Sequence, residues 1–324
     1  ARVSIVCITS GAFSRRSMSQ SVNFLIQPAF QAAFFFFRGR ALLQVPSKKQ
    51  FSSIRVRSIR RYIPARRRHI SQQIIMSGKK KLEEVAPNIY SARGSLKLPK
   101  GLAHFGLGFD AGKRMTIIKL NDQSLFIHSP AFDITPSLKE EIAQLGKVKY
   151  IVTPNIDHYF FIAQYQKEYP DALVYSLKGL QQKCPDIKFV GDLDENSKPS
   201  WASEIDFLEV KGAPVFNEVA FFHKSSKSLL VGDLAFTIDD HSGLALKLLA
   251  NKTKSLNGFT FIPRGGAVVD RDAMKESVQK IIDTFDFQRV LSCHGGIIGG
   301  ADVKERFQKT FAKWIASMKL VAKL

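Results

Sequence analysis

The chain has 324 residues, enough for one large domain or two ordinary ones. Hydrophobic residues make up 45% and charged residues 23%, which is typical of a globular protein with a buried core. No uncharged apolar run reaches about 18 residues, so the sequence predicts no transmembrane helix. Three cysteines are too few and too widely spaced for a disulfide framework or a thiolate zinc site.

The formal net charge of +20 is concentrated near the N-terminus. Residues 1–75 contain twelve Arg and two Lys but neither Asp nor Glu, and residues 79–81 are three further lysines. The rest of the chain therefore carries only +3 of the +20. A nearly neutral domain gives no reason to expect nucleic acid as a partner of the folded part.

The basic, acid-free segment 1–75 has three interpretations, none of which predicts a fold for it. Its Arg- and Ser-rich composition is typical of a transit peptide, which would place the protein in mitochondria. The chain opens with Ala1, so the segment would alternatively lie upstream of a natural start at Met76, and the protein would then be cytoplasmic. The third interpretation is a disordered arm that binds acidic surfaces by charge alone.

Short apolar runs alternate with amphipathic segments along residues 83–324. The predicted strands are Ile89 to Ala92, Met115 to Leu120, Leu125 to His128, Lys149 to Thr153, Ala172 to Tyr175, Ile205 to Val210, Glu218 to His223, Ser228 to Val231 and Arg289 to Ser292. The predicted helices are Pro136 to Leu145, His158 to Glu168, Ala273 to Phe285 and Val303 to Met318. This alternation predicts one layered α/β domain.

Polar residues follow three of the predicted strands. Asp157 and His158 follow the fourth strand, Asp233 follows the eighth and His294 follows the ninth. Loops carried by the strand ends of a rigid sheet are where α/β proteins usually place function. Carboxylate and imidazole groups are ligands of Zn²⁺, Fe and Mn²⁺. The four residues are therefore predicted to surround one divalent ion, with one coordination position open to water.

Each of these residues, taken singly, also has an ordinary structural explanation. Asp157 is a suitable N-cap for the helix predicted at His158, and Asp233 is a suitable cap for a turn. Both histidines fit half-buried positions with hydrogen-bond partners. Only the four together point to a metal site.

The order of these segments resembles that of the metallo-β-lactamase superfamily. In that superfamily a strand runs into a His-x-His-x-Asp-His loop, a hairpin ends in Gly-Asp, and a last His follows a late strand. Here residues 150–158 (YIVTPNIDH) occupy the loop, residues 218–233 the hairpin and residues 290–296 (VLSCHGG) the last position. The resemblance covers roughly residues 85–318 and implies an αββα-type sandwich.

This chain departs from the superfamily at three metal ligands. When the Asp-His end of the loop motif is aligned, its two earlier histidines become Thr153 and Asn155, and the middle histidine becomes Ala213 or is missing. Those three histidines form the superfamily's first metal site, so the resemblance implies that this site is lost. The second site keeps all its residues, with Asp233 as the former bridge. The chain resembles an uncharacterised lactamase-like branch, for which the resemblance implies no settled substrate.

The resemblance implies a single-metal hydrolase, with Zn²⁺ the expected ion and Fe or Mn²⁺ the alternatives. Its small-molecule substrate would be an ester, thioester or phosphoester, and Asp157 or Asp233 would orient the attacking water or take its proton. Asn155, His128 and Thr153 are predicted to line the pocket. The second hypothesis is a catalytically inactive binding or scaffold domain without metal. Oligomeric state is left open.

The glycine-rich stretch at residues 295–300 (GGIIGG) also has two interpretations. Backbone N–H groups in such a stretch are able to cradle a phosphate ahead of a helix. It lacks the Lys-Ser/Thr of a P-loop and follows a late strand, which favours a flexible turn beside His294.

Overall fold

The computed structural model describes residues 81–95, 110, 112–214, 217–239, 242–244, 247, 258–260 and 268–317. The basic segment 1–75 lies outside these ranges, so the hypotheses about it stay predictions. Within the described ranges, no helix is both long and apolar enough to cross a membrane.

The first sheet has seven strands that lie side by side in the order in which they occur along the chain. They are β1 (Glu83–Ala86), β2 (Ile89–Gly94), β3 (Lys113–Lys119), β4 (Ser124–His128), β5 (Lys147–Val152), β6 (Leu173–Ser176) and β7 (Gly191–Asp192). The first four are antiparallel neighbours, and β4 to β7 are parallel neighbours. Parallel neighbours need crossover connections, and the helices that cover this sheet lie in those connections.

The second sheet has five strands, and its chain order is interrupted by one crossover. Its strands, in their order across the sheet, are β14 (Ile297–Gly299), β13 (Arg289–Ser292), β10 (Ser228–Val231), β9 (Glu218–His223) and β8 (Ile205–Val210). Only β10 and β13 pair in parallel. Two short strands, β11 (Phe236–Thr237) and β12 (Phe259–Thr260), pair separately with each other.

Five helices of the described chain cover the outer faces of the two sheets. Those on the first sheet are α1 (Pro136–Leu145), α2 (Ile162–Glu168) and α3 (Leu180–Lys183), and those on the second are α4 (Arg271–Thr284) and α5 (Val303–Ser317). Two of them begin at side-chain caps. Thr135 accepts a hydrogen bond from the backbone N–H of Leu138 in α1, and Asp270 caps α4 in the same way.

The alternation of side chains along each strand divides the hydrophobic core into three layers. On β4, Leu125 and Ile127 face the helices of the first sheet, whereas Phe126 faces the second sheet. Phe126 meets Trp201 and Phe221 there, with ring centroids 5.1 Å and 5.9 Å away and edge-on geometry. A third layer packs β9, β10 and β13 against α4 and α5. The result is the αββα order that the resemblance implies.

Two local predictions are wrong. The helix predicted from His158 begins only at Ile162, and its N-terminal flanking residue is Phe161, so Asp157 is not an N-cap. Residues 155–158 instead form a turn in which the N–H groups of Asp157 and His158 donate to the side-chain and backbone oxygens of Asn155. The stretch 295–300 is not wholly a flexible turn, because it contains β14, which pairs with β13.

Two buried histidines of the described chain carry lowered pKa values. Burial, with the nearby His158 charge, lowers the pKa of His128 to about 3. Burial lowers the pKa of His223 to about 4, and its ring nitrogens lie 2.8 Å from Ser226 Oγ and 3.3 Å from Ser225 Oγ. Both rings are therefore neutral in the folded protein near neutral pH.

We expect the contribution of these two histidines to stability, measured in the presence of a chelator, to fall as the pH drops below about 6.5. In that range the unfolded chain binds protons that the folded chain excludes, until the folded His223 also protonates near pH 4. His223→Gln removes one such group. Between about pH 6.5 and pH 4, the free energy of unfolding of this variant should therefore fall less steeply than that of the wild type, and the difference in slope should correspond to about one proton. Urea titrations of both proteins measure the slopes, and equal slopes would contradict the assignment.

Candidate metal centre

Four strand ends deliver polar residues to one edge of the sandwich. β4 ends at His128 and is followed by Ser129, and its parallel neighbour β5 leads into the loop 153–158. In the second sheet, β10 leads to Asp233 and its parallel neighbour β13 leads to His294. Because parallel neighbours end at the same edge of a sheet, their loops leave it side by side.

His158, Asp233 and His294 form a cluster in which one ligand atom from each residue lies within 4.8 Å of the other two. His294 Nε2 is 3.2 Å from Asp233 Oδ1, and His158 Nε2 is 3.7 Å from Asp233 Oδ2. The Asp233 side chain is 3% exposed, whereas the two imidazoles are 13% and 12% exposed. The carboxylate therefore forms the floor of the cluster, and the imidazoles form a narrow opening to solvent.

The tautomer of His294 follows from its second ring nitrogen. Nδ1 lies 2.8 Å from the carbonyl oxygen of Gly112, and since a carbonyl only accepts, Nδ1 donates its N–H. In the neutral ring, Nε2 then presents a lone pair to the Asp233 carboxylate at 3.2 Å. Two acceptors at that distance repel each other unless a cation lies between them, either a proton on Nε2 or a metal ion. A ring oriented through Nδ1 by a carbonyl is also how proteins usually hold a metal-binding histidine.

His158 is held in a similar way from the first sheet. Its Nδ1 is 2.9 Å from the hydroxyl oxygen of Ser129, which leaves Nε2 directed at Asp233. Burial alone would raise the pKa of Asp233, but hydrogen bonds from His158 and His294 and their charges hold that pKa well below its usual value. The cluster thus offers an ionised carboxylate and two oriented imidazoles, a donor set that suits Zn²⁺, Fe or Mn²⁺.

Asn155 lies fully buried behind Asp233. Its Oδ1 accepts a hydrogen bond of 2.9 Å from the backbone N–H of Asp157, which fixes which end of the amide is the NH₂ group. That NH₂ group donates to Asp233 Oδ2 at 3.0 Å and to Glu218 Oε2 at 3.3 Å. The structure therefore places Asn155 at the cluster as a hydrogen-bond donor.

Glu218 is a buried carboxylate that the sequence-based predictions did not include among the site residues. It accepts backbone N–H bonds from Gly232, Asp233 and Leu234, at 2.8, 2.7 and 2.9 Å. Burial raises the pKa of Glu218 to about 7, the Asp233 charge adds to the rise, and the three N–H groups oppose it. The signal in the sequence was an acidic residue at the start of an otherwise apolar strand.

Asp157 does not join the cluster in this structure. Its Oδ1 lies 3.1 Å from Nζ of Lys183, which also donates to the backbone oxygen of Ile156 at 2.8 Å. The Asp157 side chain is 29% exposed. Its assignment as a metal ligand and catalytic residue stays a prediction, and as a ligand it would have to leave Lys183.

The remaining predicted pocket residues, Thr153 and His128, have structural contacts. Thr153 is buried and donates its hydroxyl to the backbone oxygen of Asn155 at 2.7 Å, so it shapes the loop. His128 is buried and packs edge-on against Phe221, with ring centroids 5.3 Å apart. Its Nε2 has no hydrogen-bond partner among the described residues.

A small cavity adjoins the buried side of the cluster. Ala213, Glu218 and Asp233 line it together with apolar groups of α4 and α5, among them Met274 and Trp314. Its volume of about 20 Å³ is enough for one water molecule. Ala213 stands where the resemblance places the middle histidine, so the cavity lies on the side from which that ligand is missing.

The first sheet also holds the loop that carries His294. Arg114 Nη2 donates to the carbonyl oxygen of Gly295 at 2.7 Å, and Nη1 donates to Ser91 Oγ at 2.7 Å. Gly295 has a φ of +79°, and a Cβ at this position would lie 1.7 Å from the backbone oxygen of Thr237. Only glycine fits there, and its fixed conformation sets the direction of His294.

Cys293 precedes His294 but is not part of the cluster. It is buried, and burial raises the pKa of its thiol, against a hydrogen bond with Ser129 that lowers it. A buried, protonated thiol is a poor nucleophile and a poor metal ligand. Cys293 therefore acts as part of the packing under the site.

Comparisons with known proteins give a fold and a family description. The family model described as "Domain of unknown function (DUF4336)" matches residues 110–256. A search of curated protein sequences finds no match.

Solved structures similar to this chain include two metallo-β-lactamases and a flavodiiron protein. The metallo-β-lactamase DIM-1 is 15% identical, with 73% of this chain and 98% of that chain covered and a TM-score of 0.53. FIM-1 from Pseudomonas aeruginosa, in its mono-zinc form, is 11% identical, with coverage of 73% and 96% and a TM-score of 0.50. The flavodiiron core of Flv1 from Synechocystis is 10% identical, with coverage of 73% and 61% and a TM-score of 0.51.

Proposed function

We propose that this chain, which has the metallo-β-lactamase fold, binds one divalent metal ion through His158, Asp233 and His294 and hydrolyses an ester, thioester or phosphoester. The observation that carries the proposal is the 3.2 Å approach of His294 Nε2 to the Asp233 carboxylate, two atoms that are both acceptors when the ring is neutral and Nδ1 donates to the Gly112 carbonyl. A cation between these two acceptors removes their repulsion, and a third ligand is in reach from His158.

Zn²⁺ is the ion that this donor set favours, with Fe and Mn²⁺ as the alternatives. Three protein ligands with a further position open is the usual arrangement of catalytic zinc. FIM-1, which has a similar fold, has been described in a mono-zinc form, so one zinc ion is compatible with this fold in that protein. The flavodiiron core of Flv1 is the reason to keep iron as an alternative.

The residues of this chain would divide the work of hydrolysis as follows. A bound ion supplies Lewis acidity and makes water nucleophilic near neutral pH. Asp233 supplies the negative charge at the floor of the site, and the two partly exposed imidazoles admit water and a small-molecule substrate. Asp157, adjacent to His158 and partly exposed, is the candidate carboxylate to accept the proton from water, and it forms an ion pair with Lys183 at 3.1 Å.

Protein purified without chelator is expected to contain about one equivalent of divalent metal per chain, measured by elemental mass spectrometry. The double variant His158→Ala with His294→Ala should lose it, because one carboxylate alone does not hold the ion. His223→Gln is the matched control, since its ring lies at the opposite end of β9 from Glu218 and should not affect metal content. A metal-free wild type, or an unchanged double variant, would favour the binding or scaffold function instead.

The metal-loaded protein is expected to hydrolyse at least one of p-nitrophenyl acetate, an acyl thioester and bis(p-nitrophenyl) phosphate, and to lose the activity in chelator. Asp157→Asn should keep the metal and lower kcat by roughly 10²- to 10⁴-fold if Asp157 moves the proton. Asp171→Asn is the control, because Asp171 forms a comparable surface ion pair with Lys147 at 3.0 Å. A rate that survives chelation, or the absence of turnover on all three substrates, would contradict the hydrolase assignment.

A further inference from the structure

Asp233 has to present both carboxylate oxygens in fixed directions, yet it lies on a loop immediately after β10. Oδ1 faces His294 and Oδ2 faces His158. The two imidazoles contact the carboxylate oxygens, and the loop backbone has contacts of its own. Two groups outside the histidine cluster, Glu218 and Asn155, supply contacts of that kind.

Glu218 fixes the backbone of the loop. Its two carboxylate oxygens receive three consecutive N–H groups, those of Gly232, Asp233 and Leu234, within 2.7–2.9 Å. Glu218 is the first residue of β9, the antiparallel neighbour of β10, so the chain leaving β10 curls around a carboxylate carried by the adjacent strand. Three N–H donors on one carboxyl group fix the loop relative to β9, and each of these bonds is stronger when the carboxyl group is ionised.

Asn155 fixes the side chain of Asp233. Its NH₂ group donates to both carboxylates at once, at 3.0 Å to Asp233 and 3.3 Å to Glu218. The amide reaches this position only because residue 232 is glycine, since a Cβ on Gly232 would lie 2.8 Å from Asn155 Nδ2. Without the amide, two buried carboxylates would face each other with no shared donor, and their repulsion would shift the loop.

We infer that Glu218 and Asn155 are the positioning residues of the metal centre, and that the Asn155 amide closes its own side of Asp233 Oδ2 to a second ion. On that side, the Asp233 carboxylate faces the N–H hydrogens of the Asn155 amide. A metal ion there would need a neighbouring group with a free lone pair, which an amide NH₂ group does not offer. The site is therefore built for one ion held between Asp233 and the two imidazoles. This inference rests on the proposed metal binding and adds which residues set its affinity and its stoichiometry.

The test compares Zn²⁺ affinity with stability in the wild type, Glu218→Gln, Asn155→Ala and the double variant. Affinity is measured by competition with a chromophoric chelator, and thermal unfolding is measured in excess chelator. Each single variant is expected to bind Zn²⁺ roughly 10- to 100-fold more weakly. The double variant should be little worse than either single variant, because both residues act on Asp233. Glu209→Gln, which changes a half-buried carboxylate on β8 in the same way, is the matched control.

Each outcome decides the inference. A loss of thermal stability with unchanged Zn²⁺ affinity would show a merely structural role and overturn it while leaving the proposed function intact. Two equivalents of Zn²⁺ bound by the wild type would overturn the closure to a second ion. Should Glu218→Gln fail to fold, Asn155→Ala and Gly232→Ala test the same network, and unchanged affinity in both would overturn it. A wild type that binds no Zn²⁺ overturns both this inference and the proposed function.

Discussion

The buried charge of Asp233 is the constraint around which the site is organised. Moving an ionised carboxylate out of water is costly unless charges and hydrogen bonds replace its hydration. Here the replacement comes from His158, His294 and Asn155, which all contact the side-chain oxygens of Asp233. The low pKa of Asp233 is the result, and it keeps the group available as an anionic ligand.

The sandwich supplies these partners because its two sheets end at the same edge. Two parallel strand pairs, β4 with β5 and β10 with β13, release their loops side by side, and the interlocked aromatic layer between the sheets holds those loops at a fixed distance. Arg114 and Gly112, at the start of β3 in the first sheet, form hydrogen bonds with the His294 loop of the second sheet. The site therefore depends on both sheets, and neither sheet alone would assemble it.

The sequence predicted the layered fold because strand alternation and helical periodicity are local signals. His158, Asp233 and His294 were predicted because strand ends are recognisable in sequence and the order of motifs gave them a place. An acidic residue at the start of an apolar strand marked Glu218 in the sequence, but its role was not predictable, since that role depends on backbone N–H groups of a neighbouring strand's loop, fourteen to sixteen positions away. The pairing of Asp157 with Lys183 likewise depends on how α3 packs beside the loop, which no local pattern encodes. The N-cap prediction failed because the Asn155 turn delays the helix.

The central claim is that one ion lies between Asp233 and two imidazoles, while Asn155 closes the other side of Asp233. Anomalous X-ray diffraction from crystals grown with Zn²⁺ tests this claim most directly. The account predicts a single anomalous peak bonded to His158 Nε2, His294 Nε2 and Asp233, with the Asn155 amide still donating to Asp233. A second peak on the Asn155 side, or no peak within this cluster, would contradict it.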